Sequence, residues 1–220
     1  MLRRFGCLSI VLPVLVVIAG LLVAGDVGAR RYATGQISDR ISASVPEASG
    51  VHSRIHSFPF LGRLLISGNV PEIGTHIDHL VVVAGLSFSD LDVDLHDVTI
   101  DRHAMLSHRQ VRLTKIGRGT VSVGLTQESL TSELGRPVHI TAGGVLVTVV
   151  GTSAVQASVS INGRQLVVRA AGLPALSVPL PTTKLFPCEP QVALVAGRAV
   201  FSCTFAGIPP AFVQAAASVA

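Results

Sequence analysis

Charged side chains are scarce in this chain. Asp, Glu, Lys and Arg make up 14% of its 220 residues, against about 25% in a typical soluble domain. Aromatic residues contribute only 4%, and tryptophan is absent. The mean hydropathy is +0.60, which excludes an intrinsically disordered chain because disorder requires low hydrophobicity and high net charge. The length fits one domain with an appendage.

Positive charge is also too sparse for a nucleic-acid-binding face. The formal net charge is +4 and includes Arg3 and Arg4 near the N-terminus, so the pI near 9.5 reflects a few spare arginines. We therefore expect no nucleic-acid partner. Charged residues are rarest in the part of the chain from Pro137 to the end. This part must therefore bury much of its surface or contact something apolar. Its charged residues are Arg164, Arg169, Lys184, Glu189 and Arg198.

Common catalytic and metal-binding motifs are missing. HExxH, GxSxG, SxxK and a Gly-rich phosphate loop do not occur. Asp90, Asp92 and Asp94 suggest a calcium loop, but Leu95 stands where an EF-hand needs glycine, and the acids alternate with apolar residues as in a strand. We predict no enzyme, no cofactor and no metal site. An enzyme of unrecognised type remains the alternative.

The eight histidines all lie between His52 and His139, which suggests a metal cluster until their spacing is considered. His52 and His56 on a strand lie about 13 Å apart, so they cannot share an ion by themselves. His76 and Asp78 are placed to share a strand face. We favour surface histidines.

The N-terminal segment has the features of an export signal or a membrane anchor. Arg3 and Arg4 precede an uncharged run of 18 residues, Leu8–Gly25, which as a helix measures about 27 Å and just spans a hydrocarbon core. The arginines place the N-terminus in the cytoplasm and the rest of the chain outside. We predict residues 1–25 as a retained anchor, with cleavage after Val23-Ala24-Gly25 as the alternative, and 26–220 as the exported domain.

Export makes a disulfide the expected state of two of the three cysteines. Cys7 lies before the apolar run, so Cys188 and Cys203 are the pair available in an oxidising compartment. Gln191–Val195 and Ala199–Thr204 flank Ala196-Gly197-Arg198 as in a hairpin, which would bring the two cysteines opposite each other. Free buried thiols are the alternative.

The exported part reads as an α+β fold that is mainly antiparallel β. An amphipathic stripe over Asp26–Val45 predicts a helix that continues from the anchor and ends at Pro46, and Thr126–Gly135 predicts a short helix. A third helix is predicted from Pro209-Pro210 to Ala220. The remaining strand-like runs alternate with period two, with a bulge expected near His96-Asp97. Those runs are Val51–His56, Ile73–Ala84, Leu91–Ile100, Val111–Ile116, Thr120–Leu125, Val138–Val150, Val155–Ile161, Leu166–Ala170 and Val192–Phe205.

An apolar corner, Ser57–Gly68, follows the first strand-like run. Core packing at a strand-to-helix corner is one interpretation, and the lip of an apolar cavity is the other. In the second interpretation an acyl chain is lined or enclosed by the apolar side chains, with Arg63 placed to meet a lipid phosphate. The apolar residues are Phe58, Phe60, Leu61, Leu64 and Leu65.

Several of these features together resemble the actinobacterial LmeA family over Asp26–Phe205. The features are the N-terminal anchor, the amphipathic helix near Ala33–Ser44, Phe58-Pro59-Phe60-Leu61 with Gly68, Leu91-Asp92-Val93 with Val98-Thr99-Ile100-Asp101, and Leu130–Pro137. The resemblance implies a tubular lipid-binding type of fold, a curled sheet packed on a long helix.

The resemblance also implies an exported protein that binds phospholipids, including phosphoinositides, and supports mannan elongation on lipomannan and lipoarabinomannan. It supplies no catalytic residues. We expect the protein at the outer face of the cytoplasmic membrane or in the periplasmic space, anchored or secreted, with phospholipid and membrane as partners. The alternative is an envelope scaffold that buries its apolar surface against a protein and binds no lipid.

Overall fold

A 40-residue helix, α1 (Phe5–Ser44), joins the apolar N-terminal run to the domain. Its residues 13–25 are exposed, and Asp26, which follows them, is buried. The part from Pro13 is long and apolar enough to cross a membrane. The structure is a computed structural model that describes residues 5–83, 86–108, 111–147, 155–162, 165–171, 175–179 and 187–209.

Twelve described strands and three further helices follow α1. In chain order they are β1 (Ala48–His56), α2 (Phe60–Ser67), β2 (Asn69–Val83), β3 (Leu86–Ile100), α3 (Arg102–His108), β4 (Leu113–Lys115), β5 (Arg118–Thr126), α4 (Gln127–Leu134), β6 (Val138–Thr141), β7 (Gly144–Val147), β8 (Val155–Asn162), β9 (Gln165–Ala170), β10 (Leu176–Pro179), β11 (Gln191–Val195) and β12 (Arg198–Phe205). This confirms an α+β fold with a long N-terminal helix.

The strands form two antiparallel sheets. The larger sheet has the order β1-β2-β3-β5-β12-β11, with β4 beside β3, and the smaller has the order β10-β9-β8-β7-β6. The turn between β11 and β12 connects the two, because Gly197 N–H donates to the Ile140 carbonyl of β6 over 2.9 Å.

Side chains from both sheets meet in one core. Phe88, Leu125 and Phe201 of the larger sheet are packed in the same cluster as Val145 and Val168 of the smaller sheet. The rings of Phe88 and Phe201 meet edge to face, 6.4 Å between centroids. The two sheets therefore share one hydrophobic core.

A second, smaller core lies under α1. Ile55, Phe60, Val70 and Val98 are buried together, and α1 covers them with its apolar stripe, Ala29, Ala33 and Ile37. This confirms the predicted amphipathic helix, which ends at Ser44, two residues before Pro46.

The domain has two distinct ends along the strands. At one end, called the α2–α3 end, lie Asp26, α2, α3 and the short strand β4. At the other, called the α4 end, α4 lies against the start of β3, since the hydroxyls of Ser87 and Ser129 are 3.0 Å apart, and Gln127 N–H donates to the carbonyl of Gly197. The strands β2 and β3 run the whole distance between the two ends.

Two irregularities differ in kind from what the sequence predicts. The alternation in β3 changes parity at Asp97, whose φ of 53° is left-handed. The pairing with β2 keeps its register there, so a left-handed residue stands where the sequence predicts a bulge. The run Val138–Val150 was predicted as one strand, which is wrong: β6 and β7 form a hairpin that pairs Thr141 with Gly144. Gly144 has a φ of 153°, which glycine adopts readily.

Other expectations meet the structure only in part. β8 reaches Asn162, which pairs with Gln165, so this hairpin extends further than its predicted strands. β10 is a short edge strand, as suits a proline-rich segment that cannot be regular strand throughout. The predicted helix from Pro209-Pro210 to Ala220 lies outside the described residues except for its first position.

Candidate functional site

The apolar corner turns the chain sharply between β1 and β2. The helix α2 ends at Gly68, which has a φ of 67° and whose N–H donates to the Leu64 carbonyl over 3.0 Å. A Cβ at Gly68 would lie 2.5 Å from the Ile100 carbonyl oxygen, so only glycine fits there. The Ile100 N–H in turn donates to the Gly68 carbonyl over 2.8 Å. The corner is thus fixed to the end of β3.

The predicted lipid-contact residues divide between the two faces of α2. Phe60 is buried in the smaller core, and Leu61 and Leu64 are half-buried against it. Phe58 and Leu65 are exposed, at 64% and 48%, and Arg63 is exposed as well. The corner therefore combines a packed inner face with a bare apolar outer face.

Asp26 fixes the corner to α1, and sequence analysis did not identify it as a site residue. Its carboxylate is only 5% exposed and accepts a hydrogen bond from the Leu61 N–H over 2.7 Å. This N–H lies in the first turn of α2, where backbone donors have no partner within the helix. The available signal was position, since Asp26 is the first charged residue after the apolar run.

His76 connects carboxylates on the exposed face of β2 and β3. Its Nδ1 lies 2.6 Å from Asp92 Oδ1 and its Nε2 lies 3.1 Å from Asp78 Oδ1. The hydrogen bond to Asp92 raises the pKa of His76 above its usual value, and the negative charges of Asp92, Asp78 and Asp90 raise it further. His52 Nε2 lies 4.0 Å from Asp78. Across the described ranges, no group of three or more His, Cys, Asp or Glu residues is arranged to hold a metal ion.

Two open clefts lie at the α4 end, away from the apolar corner. One, of about 330 Å³, is lined mainly by hydroxyl groups, including those of Ser87, Ser89 and Ser129, and the other, of about 370 Å³, lies beside it along α4. No residue of the apolar corner lines either cleft. The cavity that the sequence predicts at the apolar corner is therefore neither of these two clefts.

Cys188 and Cys203 form a disulfide in the structure, in the pairing that the sequence predicts. Cys203 lies on β12 with its side chain in the larger core, and Cys188 packs against the same core. The bond therefore fixes the segment before β11 to β12 of the larger sheet.

The architecture defines a class: an antiparallel α+β domain that continues from an apolar N-terminal helix. A family model described as LmeA-like phospholipid-binding matches residues 24–201. The chain belongs to this family. No curated protein and no solved structure gives a significant match.

Proposed function

We propose that this chain is an exported cell-envelope protein that binds a phospholipid or phosphoinositide and supports elongation of lipomannan and lipoarabinomannan. The match to the phospholipid-binding family over residues 24–201 is the observation that carries the proposal. The mannan role rests on the resemblance to that family alone.

The proposed location is the outer face of the cytoplasmic membrane. Three features support it: the exposed apolar part of α1, the two arginines before it and the disulfide, which is typical of exported proteins. Protease added to spheroplasts should degrade the domain. A domain that stays protected inside the cell would contradict the proposed export.

The proposed lipid contacts are the six corner residues that the sequence singles out. Phe58 and Leu65 offer exposed apolar surface and Arg63 an exposed cation for the phosphate. Phe60, Leu61 and Leu64 would support these contacts from the inner face of α2, because they pack in or against the smaller core. The corner exposes large apolar side chains, whereas those between the two sheets pack against one another, and this contrast favours acyl-chain contact at the corner.

Photocrosslinking of the full-length chain tests lipid contact directly. Vesicles would contain a phospholipid with a diazirine on its acyl chain, and adducts would be located by peptide mapping. We expect adducts in the peptide that contains Phe58–Leu65, in addition to those in the apolar part of α1. Adducts should persist at high salt, because apolar contact is not screened by ions.

A matched pair of variants makes this test specific. Leu65 and Val81 are both 48% exposed. Leu65 lies on α2, just before β2 begins, and Val81 lies near the other end of β2. Leu65→Asp should remove most of the corner adducts, whereas Val81→Asp should leave them unchanged. Phe60→Asp is not informative, because it places a charge in the core. Adducts confined to the apolar part of α1 would favour the scaffold alternative.

A further inference from the structure

Large apolar side chains are exposed together at the α2–α3 end of the domain. They are Phe58, Leu65 and Ile66 at α2, Leu106 on α3, and Val111 and Leu113 at β4. We propose that this end is a membrane-docking surface that lies on the bilayer crossed by α1. The inference rests on the proposed anchoring of α1, and it adds α3 and β4 to the surface that contacts lipid.

The helix α2 carries apolar residues on both of its faces. Apart from Gly62, Arg63 and Ser67, every residue of α2 is apolar. A helix with apolar residues on both faces is normally covered on both of them. Within the described part of the chain, the inner face of α2 is covered by the smaller core, whereas Ile66 is 78% exposed. The outer face therefore presents apolar surface that the described residues leave uncovered.

The helix α3 extends this bare face. Arg102 Nη1 donates to the Leu65 carbonyl over 3.3 Å and also to the Ile66 carbonyl, so α3 begins against the C-terminal turn of α2. Leu106 lies four residues after Arg102 and therefore on the same side of α3. It is 66% exposed.

The attachment of α2 to α1 identifies the occupant as the membrane itself. The uncharged run ends at Gly25, and the next residue, Asp26, accepts the hydrogen bond from Leu61 in the first turn of α2. The bare face thus begins where α1 leaves the bilayer. A separate protein or a second copy has no such fixed position relative to this face.

The charge of the α2–α3 end suits anionic head groups. Residues 58–68 and the described part of 101–115 contain four exposed cations, Arg63, Arg102, Arg112 and Lys115, and one carboxylate, Asp101. Asp26, also at this end, is buried and bonded to the Leu61 N–H. Asp101 is already engaged, since its Oδ1 accepts from the N–H groups of His103 and Ala104. Cations beside inserted apolar side chains are typical of surfaces that bind anionic bilayers.

The absence of tryptophan from the chain permits a direct test with a single fluorescent reporter. Ile66→Trp places the reporter on the proposed surface, and Val81→Trp places it at the α4 end as the matched control. Each full-length variant would be inserted into vesicles of phosphatidylglycerol and acyl-brominated phosphatidylcholine. We expect Ile66→Trp to show blue-shifted emission and to lose most of its fluorescence to the bromines, and Val81→Trp to show neither change.

The outcomes separate this inference from the proposed function. Resistance of the chain to alkaline carbonate extraction reports the anchor. An anchored chain whose Ile66→Trp reporter is not quenched would overturn the docking surface, even where corner adducts of the photoactivatable lipid persist. Blue-shifted emission without bromine quenching, rising with protein concentration, would assign the face to a second copy and also overturn the proposal.

A pair of charge variants tests the anionic component. In the Ile66→Trp background, Arg63→Gln with Arg112→Gln should reduce quenching on anionic vesicles. The control variant, Arg40→Gln with Arg169→Gln, removes two exposed arginines that lie on the C-terminal part of α1 and on β9 and should leave quenching unchanged. Equal effects of the two pairs would contradict a head-group role for this end.

Discussion

The two ends of the domain use apolar side chains in opposite ways. At the α4 end and between the sheets, large residues such as Phe88, Leu125 and Phe201 are completely buried. At the α2–α3 end, Phe58 and Ile66 point away from the smaller core that their neighbours form. The first region buries its largest apolar side chains, although Val81 and Val195 are partly exposed, whereas the second leaves a group of large apolar side chains bare, as expected of a surface that meets lipid.

Removal of one large side chain from each region tests the difference between them most directly. Phe201→Ala should lower the free energy of unfolding by about 3–5 kcal/mol, because it leaves a cavity and loses the contact with Phe88. Ile66→Ala should change it by less than about 0.5 kcal/mol. Urea unfolding of the full chain in a mild detergent, followed by circular dichroism, measures both. Similar losses for the two variants would show that Ile66 is packed like a core residue.

Loss of the disulfide between Cys188 and Cys203 should have the next largest effect on the free energy of unfolding. Cys203→Ser should lower the free energy of unfolding by about 2–5 kcal/mol, the usual cost in a small exported domain. Non-reducing peptide mapping of the exported protein should find Cys188 and Cys203 in one linked pair. Free thiols at both positions would contradict the prediction.

Asp26 tests whether α2 is held at the base of the apolar helix. Asp26→Ala leaves the Leu61 N–H without its partner, which should cost about 1–3 kcal/mol and should also weaken the quenching of the Ile66→Trp reporter. Asp39→Ala is the control, because Asp39 is an exposed carboxylate on the same helix. If the Asp26 variant keeps full quenching, the hydrogen bond does not position the surface.

The smallest expected effect is the pH dependence from His76. Because its pKa is raised in the folded state, the stabilisation from its carboxylate contacts is complete below the pKa of the unfolded chain and is lost as pH rises through the folded pKa. His76→Gln should therefore lower the melting temperature more near pH 5.5 than near pH 8.5. The charged groups around the ring are Asp78, Asp90, Asp92 and His52. A pH-independent difference would exclude this contribution.

Elements with strong local signals can be predicted from the order of residues alone. The apolar run and the helical spacing over Asp26–Val45 predict one long helix, because helical periodicity depends only on the order of residues. Thr126 specifies the start of α4, where its hydroxyl accepts from the Ser129 N–H. Alternation likewise predicts most strands, and Gly197 predicts the turn between β11 and β12.

Which apolar residues are covered depends on contacts between elements that are distant in the chain. Phe58, Phe60 and Leu65 are equally apolar in the sequence, yet only Phe60 is buried, because burial depends on which elements pack against α2. The same holds for Asp26, whose role depends on the approach of Leu61 from 35 residues further along the chain. Contacts between distant segments have no local periodicity, so composition predicted an apolar surface but not its position.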